Sequence, residues 1–307
     1  MKSKIYIIIL FALLIGVRFL TIYNDDFYKA TERVPSPEEK YYGGLDVIRI
    51  SGEYSKIDDR VSFPKITSTA YIVADLETGE IIESKDADEI YAIASLTKMM
   101  TAVVSVDTID QYSPVNITQQ AIDTHGKQGN LRTGEILSAN ELLYPLLLES
   151  SNDAAEALAI FAGRQTFLKN MNNKAISIGM SKTNYDDASG LSPLNLSTAG
   201  DLFTLTQYIY KNYSELFKIT QKRDYRLDKR VWRSNSRFIS DKNYIGGKNG
   251  YTEAAKLTLI ALFELPLSDL TDRKIAIVLL QSTKVEKDTR DILFYLLRNI
   301  QHKNLNE

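Results

Sequence analysis

Dense apolar runs of strand length and longer runs with helical spacing divide this chain into distinct stretches. Ala70-Tyr71-Ile72-Val73-Ala74 is a dense run, Glu77-Thr78-Gly79-Glu80 supplies turn residues, and Ile81-Ile82 opens a second strand, which predicts a hairpin. From Ser95 to about Tyr213 the spacing turns mostly helical. Leu96, Met99, Met100, Val103 and Val104 recur at three- and four-residue intervals behind Ser95. Ser138-Ala139-Asn140-Glu141 reads as a capping box for the apolar run Leu142 to Leu148. Pro145 falls in the first turns of that run, where it is tolerable. Helices are predicted over Asp153 to Phe161, stopped by Gly163, over about Thr166 to Ile178, stopped by Gly179, and over Ala199 to Tyr210. Thr183 to Leu196, rich in Asn, Asp, Ser, Gly and Pro, reads as a loop.

Dense runs then return at Leu257 to Phe263 and Ile275 to Leu280, the first approached through Gly246-Gly247-Lys248-Asn249-Gly250. Before them, Arg223 to Arg237 is basic and roughly alternating, the pattern of a twisted, solvated hairpin. Val285 to Ile300 is an amphipathic closing helix. Strands at both ends with helices between predict an α/β (α+β) sandwich: one antiparallel sheet of about five strands built from both chain ends, flanked by helices, with an inserted helical subdomain. A ligand is expected in the cleft between sheet and subdomain.

The segment Ile5 to Tyr23 is almost wholly apolar, with Lys2 and Lys4 before it and Asp25 and Asp26 after it. It is long enough to cross a bilayer, and its lysines place the N-terminus inside. No small-x-small cleavage site follows, which favours an uncleaved transmembrane anchor over a signal segment. The rest of the chain is then expected outside the cytoplasm. The polar stretch that follows contains Pro35, Pro37 and Gly43-Gly44 and reads as a tether with one short strand around Leu45 to Ile50. The resulting divisions are an anchor at 1–23, a linker at 24–64, one domain at 65–301 and a polar tail at 302–307.

Composition narrows the chemistry. The absence of cysteine excludes disulfides, thiolate metal sites and a cysteine nucleophile. The histidines, His125 and His302, are too few and too far apart for a His-rich metal centre, and they fit a Ser-His-Asp triad poorly. The net charge of -2 gives no reason to expect nucleic acid. With histidine scarce, lysine becomes the candidate base. Ser95 and Lys98 are three residues apart on the predicted helix, so a hydroxyl and an amine share one face. Taken alone, the pair is more simply a helix cap and a surface lysine.

Two further patterns change that weighting. Ser150-Ser151-Asn152 stands at a break between helices, and Lys248-Asn249-Gly250 stands at the entrance to a strand. Each pattern has decoys: Ser62-Phe63-Pro64-Lys65, Ser138-Ala139-Asn140 and Lys127-Gln128-Gly129. Context removes them, since Pro64 sits badly in a helix, Ser138 is a cap and no strand follows Lys127. In order and with its flanks, the chain resembles the penicillin-binding serine peptidases, in particular the low-molecular-mass D-alanyl-D-alanine carboxypeptidases. Ala94 to Thr101 looks like that family's active-site helix, and Leu142 to Ala155 is similar to its second motif with flanks. Met171 to Met180, Ser189-Gly190-Leu191 and Ser197-Thr198-Ala199 are similar to the stretch that follows.

The resemblance implies a wall hydrolase that removes the terminal D-alanine of a peptidoglycan stem pentapeptide. Ser95 would be the nucleophile and Lys98 its base, with Ser150 relaying a proton to the leaving amine. Asn152, Lys248, Asn249, Gly250 and Tyr251 would line the substrate, the backbone N–H groups of Ser95 and Tyr251 forming the oxyanion hole. β-Lactams would be covalent inhibitors, and neither a metal nor a cofactor is called for. A free lysine, with a pKa near ~10.4, is neutral only about once in a few thousand at pH 7, so burial and the second cation, Lys248, must lower it. The family's third motif is usually Lys-Thr-Gly, and its threonine helps hold the substrate's terminal carboxylate. Asn249 offers an amide from a longer, planar side chain, which bears on selectivity for a free carboxylate. Within the same resemblance, a D,D-endopeptidase or a catalytically impaired, wall-binding or β-lactam-sensing relative are the alternatives. A β-lactamase is disfavoured because no separate deacylating glutamate stands out.

Overall fold

The computed structural model describes residues 54–126, 129–268 and 271–302. The apolar segment Ile5 to Tyr23 and the short strand expected near Leu45 lie outside the described residues. Among the described residues no helix is long and apolar enough to cross a membrane.

Strands β1 (Ala70–Asp75), β2 (Ile81–Lys85), β3 (Tyr244–Thr252), β4 (Lys256–Leu265) and β5 (Arg273–Ser282) form one five-stranded sheet. Its order is β3-β4-β5-β1-β2 and all neighbours are antiparallel. The strands come from both ends of the folded part, as the sequence pattern predicts. Alternate side chains serve two cores. Ala70, Ile72, Ala74, Ile260, Leu262, Ala276 and Val278 face the helices of the middle segment. Tyr71, Val73, Leu259, Ala261, Phe263, Ile275 and Ile277 pack with Ile292 and Leu296 of the last helix. Because both faces are covered, the strands read as dense apolar runs and not as alternating ones.

The helices are α1 (Thr97–Thr108), α2 (Ala139–Tyr144), α3 (Asn152–Phe161), α4 (Arg164–Ser177), α5 (Ala199–Asn212), α6 (Ser214–Thr220) and α7 (Val285–Asn299), with a single turn at Gln119–Ile122. The capping box at Ser138 and Glu141 is formed. The helix it opens is shorter than its apolar run suggests. It gives way at Pro145 to a π-helical turn, Pro145–Glu149, because proline has no N–H to continue the ladder. Helix α6 has no apolar period long enough to announce itself.

Two expectations are corrected. The basic hairpin exists, Asp224–Leu227 pairing with Arg230–Arg233, but it is not solvated throughout. Trp232 is fully buried, donates from Nε1 to the Gly129 carbonyl at 2.6 Å and stacks on Tyr225, which stacks on Tyr144. Arg230 is ion-paired with Glu135. The folded unit also takes in residues expected in the linker and the tail, since Tyr54–Lys56 pairs antiparallel with Ile300–His302. The Tyr54 hydroxyl donates to Asp75 Oδ2 at 2.6 Å, and Arg273 Nη2 reaches the same oxygen at 2.7 Å.

Buried Asp288 of α7 joins the chain ends. It accepts from Thr67 N at 2.8 Å, Thr67 Oγ1 at 2.7 Å and Ser282 Oγ at 2.7 Å. Asp288→Ala strands these donors and should cost roughly 2–4 kcal/mol, read as a fall of roughly 5–15 °C in thermal midpoint by calorimetry.

Candidate active site

Ser95 stands where strain and close packing meet. Ala94 before it holds a left-handed backbone, φ +48°, and Ala94–Leu96 form a 3₁₀ turn that leads into α1. A non-glycine residue there is unusual and persists only where its surroundings fix it. Two glycines do the fixing. A Cβ on Gly190 would fall 2.0 Å from the Ala94 carbonyl oxygen, and one on Gly250 would fall 2.8 Å from Ser95 N. The chain can therefore press the 190 loop and β3 against the serine from two sides only without side chains.

Lys98, one turn after Ser95 and the second residue of α1, is fully buried. Its Nζ donates to Ser95 Oγ at 3.2 Å, to Asn152 Oδ1 at 2.7 Å and to the Ser189 carbonyl. Lys248 reaches the region from the sheet. The register places Lys248, Ile260, Val278 and Ile72 in one row across four strands, on the face that meets the helices. Lys248 is 2% exposed and donates to its neighbour's carbonyl, Asn249 O, at 2.7 Å.

The second motif divides its labour. Ser151 caps α3 by accepting from Ala154 N at 3.0 Å. Its neighbours are thereby left to the cleft. Ser150 ends the π-helical turn in a left-handed conformation, φ 63°, and its buried Oγ has no hydrogen-bond partner. Asn152 uses Oδ1 for Lys98 and Nδ2 for the His125 carbonyl at 2.8 Å. Ser95, Ser150, Asn152, Lys248, Asn249, Gly250 and Tyr251 all line one cleft of about 640 Å³. All residues singled out in the sequence thus converge, Lys98 lying just beneath the surface. Tyr251 is the most open of them, 62% exposed.

Electrostatics sharpen the picture. Burial pulls the Lys98 ammonium down to about 7, while the charges of Asp187 and Glu156 pull the other way. Lys248 falls well below the ordinary lysine value, through burial first and repulsion from Lys98 second. Two buried amines thus share a space that tolerates few protons. The sequence reading missed Asp187 and Glu156, and noted Ser189 only within a family-like stretch, without its contact to Lys98. An aspartate ahead of Ser-Gly in a polar loop is a turn signal, but nothing local shows that it faces the lysine.

A hydroxyl hydrogen-bonded to an amine drawn down to about 7 is an arrangement suited to acyl transfer, since the amine can take the hydroxyl's proton when it is neutral. The family model described as D-alanyl-D-alanine carboxypeptidase, peptidase family S11, matches residues 57–279. The chain belongs to this family. It is similar to the D-alanyl-D-alanine endopeptidase of Pseudomonas aeruginosa, 36% identical over 146 residues, 46% of this chain and 47% of that one. It is also similar to the D-alanyl-D-alanine carboxypeptidase DacF of Bacillus subtilis, 30% identical over 204 residues, 62% of this chain and 52% of that one. The chain spans about half the length of these relatives. Among solved structures it resembles the D-alanyl-D-alanine carboxypeptidase of Mycobacterium tuberculosis, with a TM-score of 0.72 and 25% identity, over 81% of this chain and 95% of that one. The Streptomyces K15 DD-transpeptidase gives a TM-score of 0.70 at 25% identity, over 77% and 99%.

The state of Lys98 sets a pH dependence. Only a neutral amine accepts a proton, so Lys98 acting as a base would lose that capacity as pH falls through about 7. The second-order rate of acylation by a fluorescent penicillin should rise with pH, level off above neutrality and lie roughly tenfold lower at pH 6 than at pH 8. Stopped-flow measurements from pH 5 to 9 read this directly.

Proposed function

We propose that this S11 serine D,D-peptidase is a carboxypeptidase that removes the terminal D-alanine from peptidoglycan stem pentapeptides. The observation that carries the reading is the buried Lys98 amine donating to Ser95 Oγ at the foot of a cleft edged by Lys248 to Tyr251. Ser95 Oγ attacks the carbonyl between the two D-alanines while its proton passes to Lys98. The tetrahedral oxyanion is held by the backbone N–H groups of Ser95 and Tyr251, donors that typically supply a few kcal/mol each. Proton return to the departing amine runs through Ser150, whose unpartnered Oγ is free to take and give one. The peptide C–N bond breaks, an ester to Ser95 remains, and water hydrolyses it. A β-lactam follows the same first step and stays attached.

A second reading, D,D-endopeptidase, is favoured by one observation. Relatives bearing that name are 36–39% identical over their matched residues, against 28–30% for several named carboxypeptidases. Asn249 in the third motif agrees with it, because an endopeptidase need not grip a free carboxylate. In both readings the apolar segment Ile5 to Tyr23 anchors the chain and holds the peptidase domain outside the cytoplasm.

Two measurements test these readings. Fluorescent penicillin should label the wild-type chain and leave Ser95→Ala unlabelled; labelling that survives the substitution would mean another nucleophile. Incubation with defined muropeptides, followed by mass spectrometry, separates the activities. The carboxypeptidase reading expects loss of one D-alanine from a pentapeptide monomer, and cleavage of a crosslinked dimer alone would replace it with the endopeptidase reading.

A further inference from the structure

The cleft residues account for the nucleophile and the base but leave a buried carboxylate beside them unused. Asp187 is 8% exposed and sits just before Ser189 and Gly190, the loop that presses on Ala94. Its Oδ1 accepts from Ser189 N at 2.8 Å, from Ser189 Oγ at 3.1 Å and from Gly190 N. Its Oδ2 accepts from Ser192 N at 2.6 Å. Successive backbone N–H groups folded around one anion make a compact, rigid nest. The same loop is tied from outside, Thr101 Oγ1 donating to Ala188 O at 2.6 Å and Asn195 Oδ1 accepting from Asp186 N at 2.9 Å.

What this nest holds in place is the Ser189 carbonyl, one of the acceptors on Lys98 Nζ. Ser189 thus gives its N–H to Asp187 and its carbonyl to the catalytic amine. We propose that Asp187 is a positioning residue for the base: its carboxylate folds the 187–192 loop so that the Ser189 carbonyl meets Lys98, and the same fold keeps its charge within electrostatic range of that amine. The inference rests on the acyl-enzyme reading above.

The charges around Lys98 come from several elements. Lys248 on β3 opposes a proton on it, while Asp187 in the loop and Glu156 on α3 favour one. Glu156 is itself paired with Arg164 Nε at 2.9 Å, at the start of α4, which screens its effect. Asp187 has no ion-pair partner within 4 Å among the described residues; the Arg164 guanidinium acts on it too, but only at longer range and less strongly than on Glu156, to which it is hydrogen-bonded, so Glu156 is the more screened of the two. Two consequences separate positioning from simple loop stability. Removing the charge lowers the pH at which Lys98 becomes neutral; displacing the carboxylate while keeping its charge does not.

The test is the pH profile of penicillin acylation in the full chain, measured for the wild type, Asp187→Asn, Asp187→Glu and Glu156→Gln. In Asp187→Asn the midpoint should move down by about half to one pH unit, and the plateau rate should fall at least ~10-fold. Asp187→Glu keeps the charge on a longer arm, so its midpoint should stay within ~0.3 units while its plateau falls. Glu156→Gln should shift the midpoint less than Asp187→Asn does. An unmoved midpoint in Asp187→Asn overturns the proposal, as does a wild-type plateau in either Asp187 variant. Should Asp187→Asn not fold, the plateau of Asp187→Glu decides. A wild-type chain that takes no label at Ser95 would defeat the acyl-enzyme reading itself, a result distinct from any of these.

Discussion

Everything in this molecule is arranged around a lysine amine kept out of water. An ammonium taken into a protein interior is costly, and the usual response is to lose the proton. Lys98 is fully buried, Lys248 lies nearby and is almost as deep, and the nearest acidic groups are engaged with other partners. Among the described residues the two amines meet this unfavourable setting together. In the proposed mechanism the return is an amine neutral enough, near pH 7, to take a proton from a serine.

The rest of the fold serves that setting. Lys98 comes from a helix whose first nine residues, Thr97 to Ser105, are all buried, so the helix cannot shift toward solvent. Lys248 comes from the sheet, where a row of apolar residues across the neighbouring strands fixes which face it takes. Asn152 comes from a third element, placed by the π-helical turn and the left-handed Ser150. Left-handed residues and wide turns cost energy locally, and here they stand at Ala94 and Ser150, on either side of the base. Glycine at 190 and 250 permits the close backbone approach that binds these parts together.

Much of this was legible in the sequence, for identifiable reasons. Both-face burial turned β1, β4 and β5 into dense apolar runs that no solvated segment would show. The order of the motifs brought Ser95, Lys98, Ser150, Asn152 and Lys248 to one site because the topology joins them, although they are far apart along the chain. Other features escaped because their signal is not local. Trp232 hides in a run of arginines, and only the partner surface, Gly129 and the stacked tyrosines, shows that the hairpin is docked. The strand at Tyr54 to Lys56 is too short to register without its partner at Ile300 to His302. The Ser189 carbonyl could not be foreseen at all, because a backbone acceptor leaves no mark on residue identity. Ser151 was grouped with the motif, whereas its work is capping α3, and that capping orients its neighbours.

The central claim is that Lys98 exchanges its proton near neutrality. NMR of the chain with ¹³Cε-labelled lysine addresses it directly, the Lys98 signal being identified by its disappearance in Lys98→Arg. A chemical-shift titration centred near pH 7 agrees with a desolvated base. A Lys98 signal that stays in its ammonium form until about pH 10, as an ordinary lysine does, would contradict the account.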